Sequence, residues 1–116
     1  TIALAKDAMD AVIKENTNTA ITPSTIIDQV SRYFNISIED IKSDKRRSDI
    51  VFARQMTMYI IRETTGLSLP EIGKEMGGKN HTTVLYSIRK LEEAMKQDPK
   101  TAKISAELIE NIKKSY

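Results

Sequence analysis

Short polar side chains open one of the helices that the sequence predicts. Lys79, Asn80, His81, Thr82 and Thr83 follow one another along the chain. Asn and His can hydrogen-bond base edges, and a Thr methyl group can pack on the methyl group of thymine. The N–H groups of a first helical turn also favour a phosphate oxygen. The run indicates nucleic-acid recognition, whereas a helix cap without a ligand is the commoner role of such residues taken singly.

A cluster of positive charge lies in a stretch without apolar residues. Lys45, Arg46 and Arg47 occupy the middle of residues 42–49, which we expect to form an exposed loop. Loop arginines suit the minor groove, whose potential is most negative where A·T-rich DNA narrows it. Gln55, in the next helix, could contact a base or a phosphate. The alternative, and the commoner case for a charge run alone, is a solvated surface.

Composition argues against several other kinds of function. The 116 residues include no Cys and one His, so neither a disulfide framework nor a zinc site is expected. The sequence contains no G-x-x-x-x-G-K-[ST] phosphate loop and no evident catalytic constellation around its His. We expect no enzymatic activity, metal or cofactor in this fragment. No apolar run reaches the roughly 18–20 residues of a membrane span, and we expect a cytoplasmic protein.

Apolar residues recur at helical spacing along nearly the whole chain, and none of it alternates with the period of a strand. With few aromatic residues, the core must consist of Ile, Leu, Val, Met and Ala. The pattern predicts an all-α, compact bundle of about six helices. The expected helical segments are 3–15, 23–35, 38–41, 50–65, 68–76, 80–97 and 102–116.

The first predicted helix is set apart from the others. Residues 16–19 are polar and resemble a linker. We therefore expect residues 1–20 to be the end of a preceding domain, and residues 21–116 to form the domain of interest. Because the chain starts with Thr1 rather than Met, we also expect it to be a fragment of a longer protein.

Residues 68–97 match the plan of a helix-turn-helix. A short helix, with a capping-box pattern from Ser68 to Glu71, is followed by Gly77 and Gly78 and then by a longer helix. Two glycines allow the left-handed backbone that a tight turn needs. Helical hairpins are common in bundles, so the pattern alone is weak. Together with the polar first turn and the basic loop it favours DNA recognition.

At this point the sequence resembles a known family. Ser-Leu-Pro-Glu-Ile-Gly at 68–73 and Gly-Gly-Lys-Asn-His-Thr-Thr-Val-Leu at 77–85 are similar to the signature of the bacterial replication initiators of the DnaA family. The resemblance extends to 45–47 and 53–56, and covers roughly residues 20–116. It implies a C-terminal DNA-binding domain: a helical bundle containing a Trp-repressor-like helix-turn-helix and a basic loop. Residues 1–20 would then end an AAA+ ATPase domain and its linker.

The resemblance also implies a role for individual residues. Such domains bind short, asymmetric A·T-rich elements, the DnaA boxes, at the chromosomal origin. Either Arg46 or Arg47 would enter the minor groove, with Lys45 and Lys79 as further DNA-binding candidates. The residues facing the major groove would be Gln55, Asn80, His81, Thr82 and Thr83. Those along the DNA backbone would be Arg54, Arg62, Leu69, Pro70 and Lys90.

Two departures from the family pattern bear on specificity. Asn80 occupies a position where many relatives carry Asp, and its amide can donate as well as accept a hydrogen bond. The basic loop is about one residue shorter than expected and carries Asp49 where relatives tend to be basic. The choice between Arg46 and Arg47 therefore stays open.

The expected partner is double-stranded DNA, bound by a monomeric fragment. For the full-length protein the resemblance implies ATP with Mg²⁺, self-assembly on the origin, regulatory partner proteins and a location at the nucleoid. A transcriptional regulator with the same fold is a second hypothesis. A helical protein-interaction module, in which the polar turn is only a cap, is a third.

Overall fold

A computed structural model describes residues 21–115, which form six helices. The helices are α1 (Pro23–Phe34), α2 (Ile38–Lys42), α3 (Ser48–Thr65), α4 (Leu69–Glu75), α5 (His81–Gln97) and α6 (Pro99–Ser115). The described range contains no strand, which confirms the all-α prediction. The helix expected at 3–15 and the boundary at residue 20 lie outside the described residues. No helix between residues 21 and 115 is long and apolar enough to cross a membrane.

Helix α3 is the centre of the bundle. It packs against each of the five other described helices. Its sequence has Phe52, Met56, Tyr59 and Ile60 at the spacing of one helical face, which is typical of a helix with a single apolar side. In the structure Phe52 and Tyr59 are only half-buried, whereas residues on several sides of the helix are covered. The buried residues of α3 are Ile50, Ala53, Arg54, Met56, Thr57, Met58, Ile60 and Ile61. A helix surrounded by neighbours loses the amphipathic pattern that a surface helix shows.

The core is built from branched aliphatic residues and methionine, as composition predicts. Ile26 and Val30 of α1, Ile72 of α4, and Val84 and Leu91 of α5 are fully buried. Aromatic side chains lie at its margin. The rings of Phe34 and Phe52 meet edge to face, with centroids 5.6 Å apart, and join α1 to α3.

Two helix starts differ from the predicted ones. α3 begins at Ser48 instead of 50, and α6 begins at Pro99 instead of 102. In both cases the first two residues, Ser48 and Asp49 in α3 and Pro99 and Lys100 in α6, are exposed, so that core periodicity does not include them. Asp49 stabilises the start of α3 by accepting a hydrogen bond from the Ile50 N–H at 2.9 Å. A carboxylate in a first helical turn is favoured by the helix dipole.

Side-chain caps define both helices of the helix-turn-helix. Ser68 Oγ accepts a hydrogen bond from the Glu71 N–H, and Glu71 Oε1 accepts one from the Ser68 N–H at 2.9 Å. This reciprocal pair confirms the capping box. The hydrogen bonds from Ser68 lower the pKa of the Glu71 carboxyl. Asn80 Oδ1 accepts from the Thr82 N–H at 2.7 Å and caps α5.

The turn between α4 and α5 depends on three glycines, of which Gly77 and Gly78 have the positive φ that the sequence predicted and Gly73 lies against the turn. The Gly73 carbonyl accepts hydrogen bonds from Gly78 N at 3.0 Å and Lys79 N at 2.8 Å, and a Cβ on Gly73 would overlap the Lys79 carbonyl oxygen. Gly77 has φ +88°, and a Cβ there would lie 2.7 Å from the carbonyl oxygen of Lys42. The turn is therefore packed against the end of α2, with space for hydrogen only.

Gly73→Ala should destabilise the domain. The overlap with the Lys79 carbonyl should lower the free energy of unfolding by about 1–3 kcal/mol. Inside a helix without such a neighbour, Ala would instead stabilise by about 1 kcal/mol. Urea unfolding measures the difference, and the exposed neighbour Lys74→Ala, expected within about 0.5 kcal/mol of wild type, is the control. An unchanged or raised midpoint for Gly73→Ala would contradict the packed turn.

Candidate nucleic-acid interface

A surface groove of about 470 Å³ lies where the basic loop, α3 and α5 meet. Five of the predicted DNA-binding residues line it, from three separate parts of the chain. They are Arg46, Arg54, Gln55, Lys79 and Thr83. The fold thus brings the loop, at 42–49 in the sequence, next to the first turn of the helix that begins at His81.

The start of α5 presents its polar side chains to solvent. Asn80, His81, Thr82 and Thr83 are all exposed. Because Asn80 Oδ1 already accepts the Thr82 N–H, the side-chain NH₂ group is the part of Asn80 left for a ligand. An Asp at this position could cap the helix in the same way but would offer no donor. The departure at Asn80 therefore changes the chemistry of the exposed surface and leaves the cap intact.

The three cations of the basic loop, Lys45, Arg46 and Arg47, differ in their ion-pair partners. Lys45 Nζ lies 2.8 Å from Asp40 Oδ1. Arg47 donates from Nε to Asp49 Oδ1 at 2.7 Å and from Nη2 to Asp49 Oδ2 at 3.1 Å. This two-pronged contact raises the pKa of Arg47 and lowers that of Asp49. Arg46 has no hydrogen-bond or ion-pair partner within residues 21–115, and is the free cation of the three.

Arg54 is buried, with 8% of its surface exposed. Its Nε donates to the Ile41 carbonyl at 2.9 Å, and its Nη2 donates to the Asp40 carbonyl at 3.2 Å. Burial lowers the pKa of the guanidinium, and the nearby carboxylates of Asp44 and Asp40 oppose this. Its hydrogen bonds satisfy the Ile41 carbonyl, which has no partner in the short α2 helix, and supplement the Ser43 cap on the Asp40 carbonyl. The structure gives Arg54 a structural role that the sequence did not reveal.

The Lys79 side chain also makes its contacts within the protein. Its Nζ donates to the Lys42 carbonyl at 2.6 Å and lies 3.2 Å from Asp44 Oδ1. Only 9% of the Lys79 side chain is exposed, against 94% of the Asp44 side chain. The turn of the helix-turn-helix is thereby tied to the beginning of the basic loop.

The remaining predicted residues lie away from the groove. Arg62 is exposed on α3, about 12 Å along the helix axis from Arg54. Leu69 is half-buried and Pro70 exposed at the start of α4. Lys90 is exposed farther along α5, where its Nζ lies 5.9 Å from the centroid of the Tyr86 ring. None of these four residues lines the groove.

Residues outside the predicted set complete the groove. Tyr86 and Ser87 of α5, Val51 of α3 and Asp44 of the loop all line it. Tyr86 is 61% exposed, the largest value among the large hydrophobic side chains described. The sequence already predicts that Tyr86 lies on the face of α5 opposite its apolar stripe, and the spacing of four residues from Thr83 is the signal that could have added Ser87. Within the described range, no cluster of His, Cys, Asp and Glu could hold a metal ion.

Arg54→Met should weaken the fold. It removes the donor to the Ile41 carbonyl, whereas Ser43 still caps the Asp40 carbonyl, and the unsatisfied acceptor should lower the free energy of unfolding by about 1–3 kcal/mol. Arg54→Lys, with a point charge in place of the planar fork, should recover part of the loss. The neighbouring Gln55→Met is the control, expected within about 0.5 kcal/mol of wild type. Equal urea midpoints for Arg54→Met and wild type would show that the guanidinium does not hold α2.

Comparison with known proteins places these features in a family. The family model of the bacterial DnaA protein helix-turn-helix matches residues 23–91. A chromosomal replication initiator protein DnaA of Levilactobacillus brevis is 40% identical over 111 residues, 96% of this chain and 25% of the relative. The protein of the same name from Microcystis aeruginosa is 48% identical over 93 residues, 80% of this chain and 21% of the relative.

A solved structure shares the fold as well as the sequence. The crystal structure of a DNA replication initiation factor superposes with a TM-score of 0.71 at 34% identity, covering 78% of this chain and 27% of that one. The chain spans about a quarter of the length of the curated relatives it matches. The chain thus belongs to the bacterial DnaA family, and corresponds to the helix-turn-helix part of those proteins.

Proposed function

We propose that this chain binds double-stranded DNA in replication initiation, and that it recognises DnaA-box elements at the chromosomal origin. One observation carries the proposal: the free cation Arg46 and the exposed polar turn at the start of α5 line or border a single groove. A helix start and a basic arm on one surface can contact two adjacent grooves of a duplex at once. The family membership supports the same function.

The start of α5 supplies the major-groove contacts in this proposal. Asn80, His81, Thr82 and Thr83 are exposed and carry donors, acceptors and methyl groups. Gln55 of α3 lines the same groove and its side chain has no hydrogen bond within residues 21–115, so that the side-chain amide is available to DNA. Lys90, beside Tyr86, would contact the DNA backbone farther along the helix.

Arg46 is the better candidate for the minor groove. Arg47 would first have to give up its two-pronged contact with Asp49, whereas Arg46 has no such contact to lose. Arg46 also lines the groove, and Arg47 does not. The contacts of the three loop cations thus support Arg46 over Arg47 as the minor-groove residue, a choice that the sequence left open.

Properties of the whole protein extend this proposal. Since the chain has no phosphate loop, ATP and Mg²⁺ would bind in another part of the full-length protein. Self-assembly on the origin, regulatory partners and a place at the nucleoid are likewise proposed for the full-length protein.

The direct test compares two duplexes at one fixed salt concentration. The chain should bind a DnaA-box duplex much more tightly than a scrambled duplex of equal length and composition. Specific sites are commonly bound about 10³-fold or more tightly than non-specific DNA. Equal affinities would refute the proposed specificity. If DNA also left the chemical shifts of residues 79–83 unchanged, the polar turn would be only a helix cap.

Replacing a base-contacting residue of α5 should cost affinity and relax specificity. His81→Ala or Thr83→Ala should each weaken box binding by about 1–3 kcal/mol and reduce the preference for the box over single-base variants. Gln97→Ala is the control, since Gln97 lies on the same helix about 21 Å along the axis from Thr83. If both variants kept the wild-type preference across all box positions, α5 would not be the recognition helix. Fluorescence anisotropy with labelled duplexes provides the affinities.

Arg46→Ala and Arg47→Ala form a matched pair that tests the minor-groove assignment. Arg46→Ala should weaken box binding by about 1–3 kcal/mol and reduce the dependence of log K on log salt by about one. Arg47→Ala should have the smaller effect on both quantities, because Asp49 already neutralises that charge. A titration series between 50 and 200 mM salt, about the range over which phosphate contacts are sensitive, gives both values. A larger effect of Arg47→Ala would reverse the assignment.

A further inference from the structure

The end of α2 is held by two cations from different parts of the chain. The N–H and the hydroxyl of Ser43 cap the Asp40 carbonyl, at 3.1 and 2.6 Å, but no further helical turn satisfies the carbonyls of Ile41 and Lys42. Arg54 of α3 donates to the Ile41 carbonyl and more weakly to that of Asp40, and Lys79 of the helix-turn-helix turn donates to the Lys42 carbonyl. The basic loop begins directly after these carbonyls, so that both cations determine where the loop starts.

The contact of Lys79 is built into the packing. Gly77 approaches the same Lys42 carbonyl so closely that a Cβ would lie 2.7 Å from the oxygen. Lys79 Nζ reaches that oxygen at 2.6 Å and Asp44 Oδ1 at 3.2 Å. With 9% of its side chain exposed, Lys79 offers almost no surface to a phosphate, in contrast to the exposed Lys45 and Lys90.

We propose that Lys79 is a positioning residue: by joining the turn before α5 to the end of α2, it sets the distance between Arg46 and the first turn of α5 without contacting DNA. This inference rests on the proposed function, since it concerns how one domain spans two grooves. Arg46 follows the Lys42 carbonyl by four residues, and α5 begins two residues after Lys79. Without the contact of Lys79 with the Lys42 carbonyl, the recognition helix α5 would stay intact, but Arg46 would no longer be held at a fixed distance from it.

Chemically altered DNA separates the minor-groove contact from the major-groove contact. A box duplex in which every adenine is replaced by 2,6-diaminopurine carries an added amino group in the minor groove and keeps the N6 and N7 groups of the major groove. The minor-groove ratio is the affinity for the normal box divided by that for the substituted box. For wild type it should be about fivefold or more, the factor that one wrong base pair ordinarily costs.

Lys79→Met should reduce the minor-groove ratio towards the value for Arg46→Ala, while preference against a base change under α5 stays at the wild-type level. The double variant Arg46→Ala/Lys79→Met should match Arg46→Ala in affinity and in salt dependence. The reason is that Lys79 positions the minor-groove contact of Arg46, and Arg46→Ala has already removed that contact. Lys79→Arg, which keeps a long cation able to reach the Lys42 carbonyl, should retain the ratio. Lys79→Gln is measured alongside, and unfolding midpoints and circular dichroism establish that each variant is folded.

A direct phosphate contact by Lys79 gives the opposite pattern. Lys79→Met would then weaken binding to both duplexes equally, keep the minor-groove ratio, and lower the salt dependence by about one even in the Arg46→Ala background. Lys90→Met, at an exposed lysine of α5, serves as the matched control and should show that pattern. If wild type discriminates box from scrambled DNA but folded Lys79 variants keep the full ratio, only the inference is overturned. If wild type does not discriminate, the proposed function fails, and the inference with it.

Discussion

The packing of α3 against all five other described helices is the constraint on which the rest of the structure depends. Among the helices described between residues 21 and 115, this 18-residue helix is the one that contacts all of α1, α2, α4, α5 and α6. It carries core residues along most of its length. It also carries Arg54 and Gln55 on the side where α2 and α5 approach it. The packing of α3 in the core therefore determines where the basic loop lies relative to the start of α5.

The cations around the groove divide according to burial. Arg54 and Lys79 are shielded from water and each donates to backbone carbonyls, because a buried charge needs compensating partners. Arg46 and Lys90 are exposed, and neither is held by a carboxylate within residues 21–115. Only the second kind can exchange water and counterions for DNA phosphates without breaking the protein's own contacts. A count of positive residues, or the net charge of +2, conceals this difference.

Much of the fold follows from local sequence. The local sequence does not show which cations are buried and bound to carbonyl groups and which are exposed. Helical spacing and the caps Ser68 and Asn80 are determined by residues within four positions of one another, and the helices predicted within the described range were all present. The contacts of Arg54 and Lys79 join residues 13 and 37 positions apart. They depend on which carbonyls end α2 and on how the bundle closes. Sequence patterns show neither, so the contacts of Arg54 and Lys79 within the protein could not be predicted, and the DNA contacts proposed for them from the sequence stay predictions.

The shortness of α2 explains why two cations, Arg54 and Lys79, hydrogen-bond to the carbonyl groups at its end. A helix of five residues is far below the length at which helices are stable alone, about 12–15 residues. Ser43 caps the Asp40 carbonyl, but without Arg54 and Lys79 the carbonyls of Ile41 and Lys42 would lose the donors that the structure gives them. The basic loop continues directly from that end, so the contacts of Arg54 and Lys79 hold the residues from which the loop starts. Arg46 can therefore stay unpaired within residues 21–115 while side chains from α3 and from the turn complete the capping of α2.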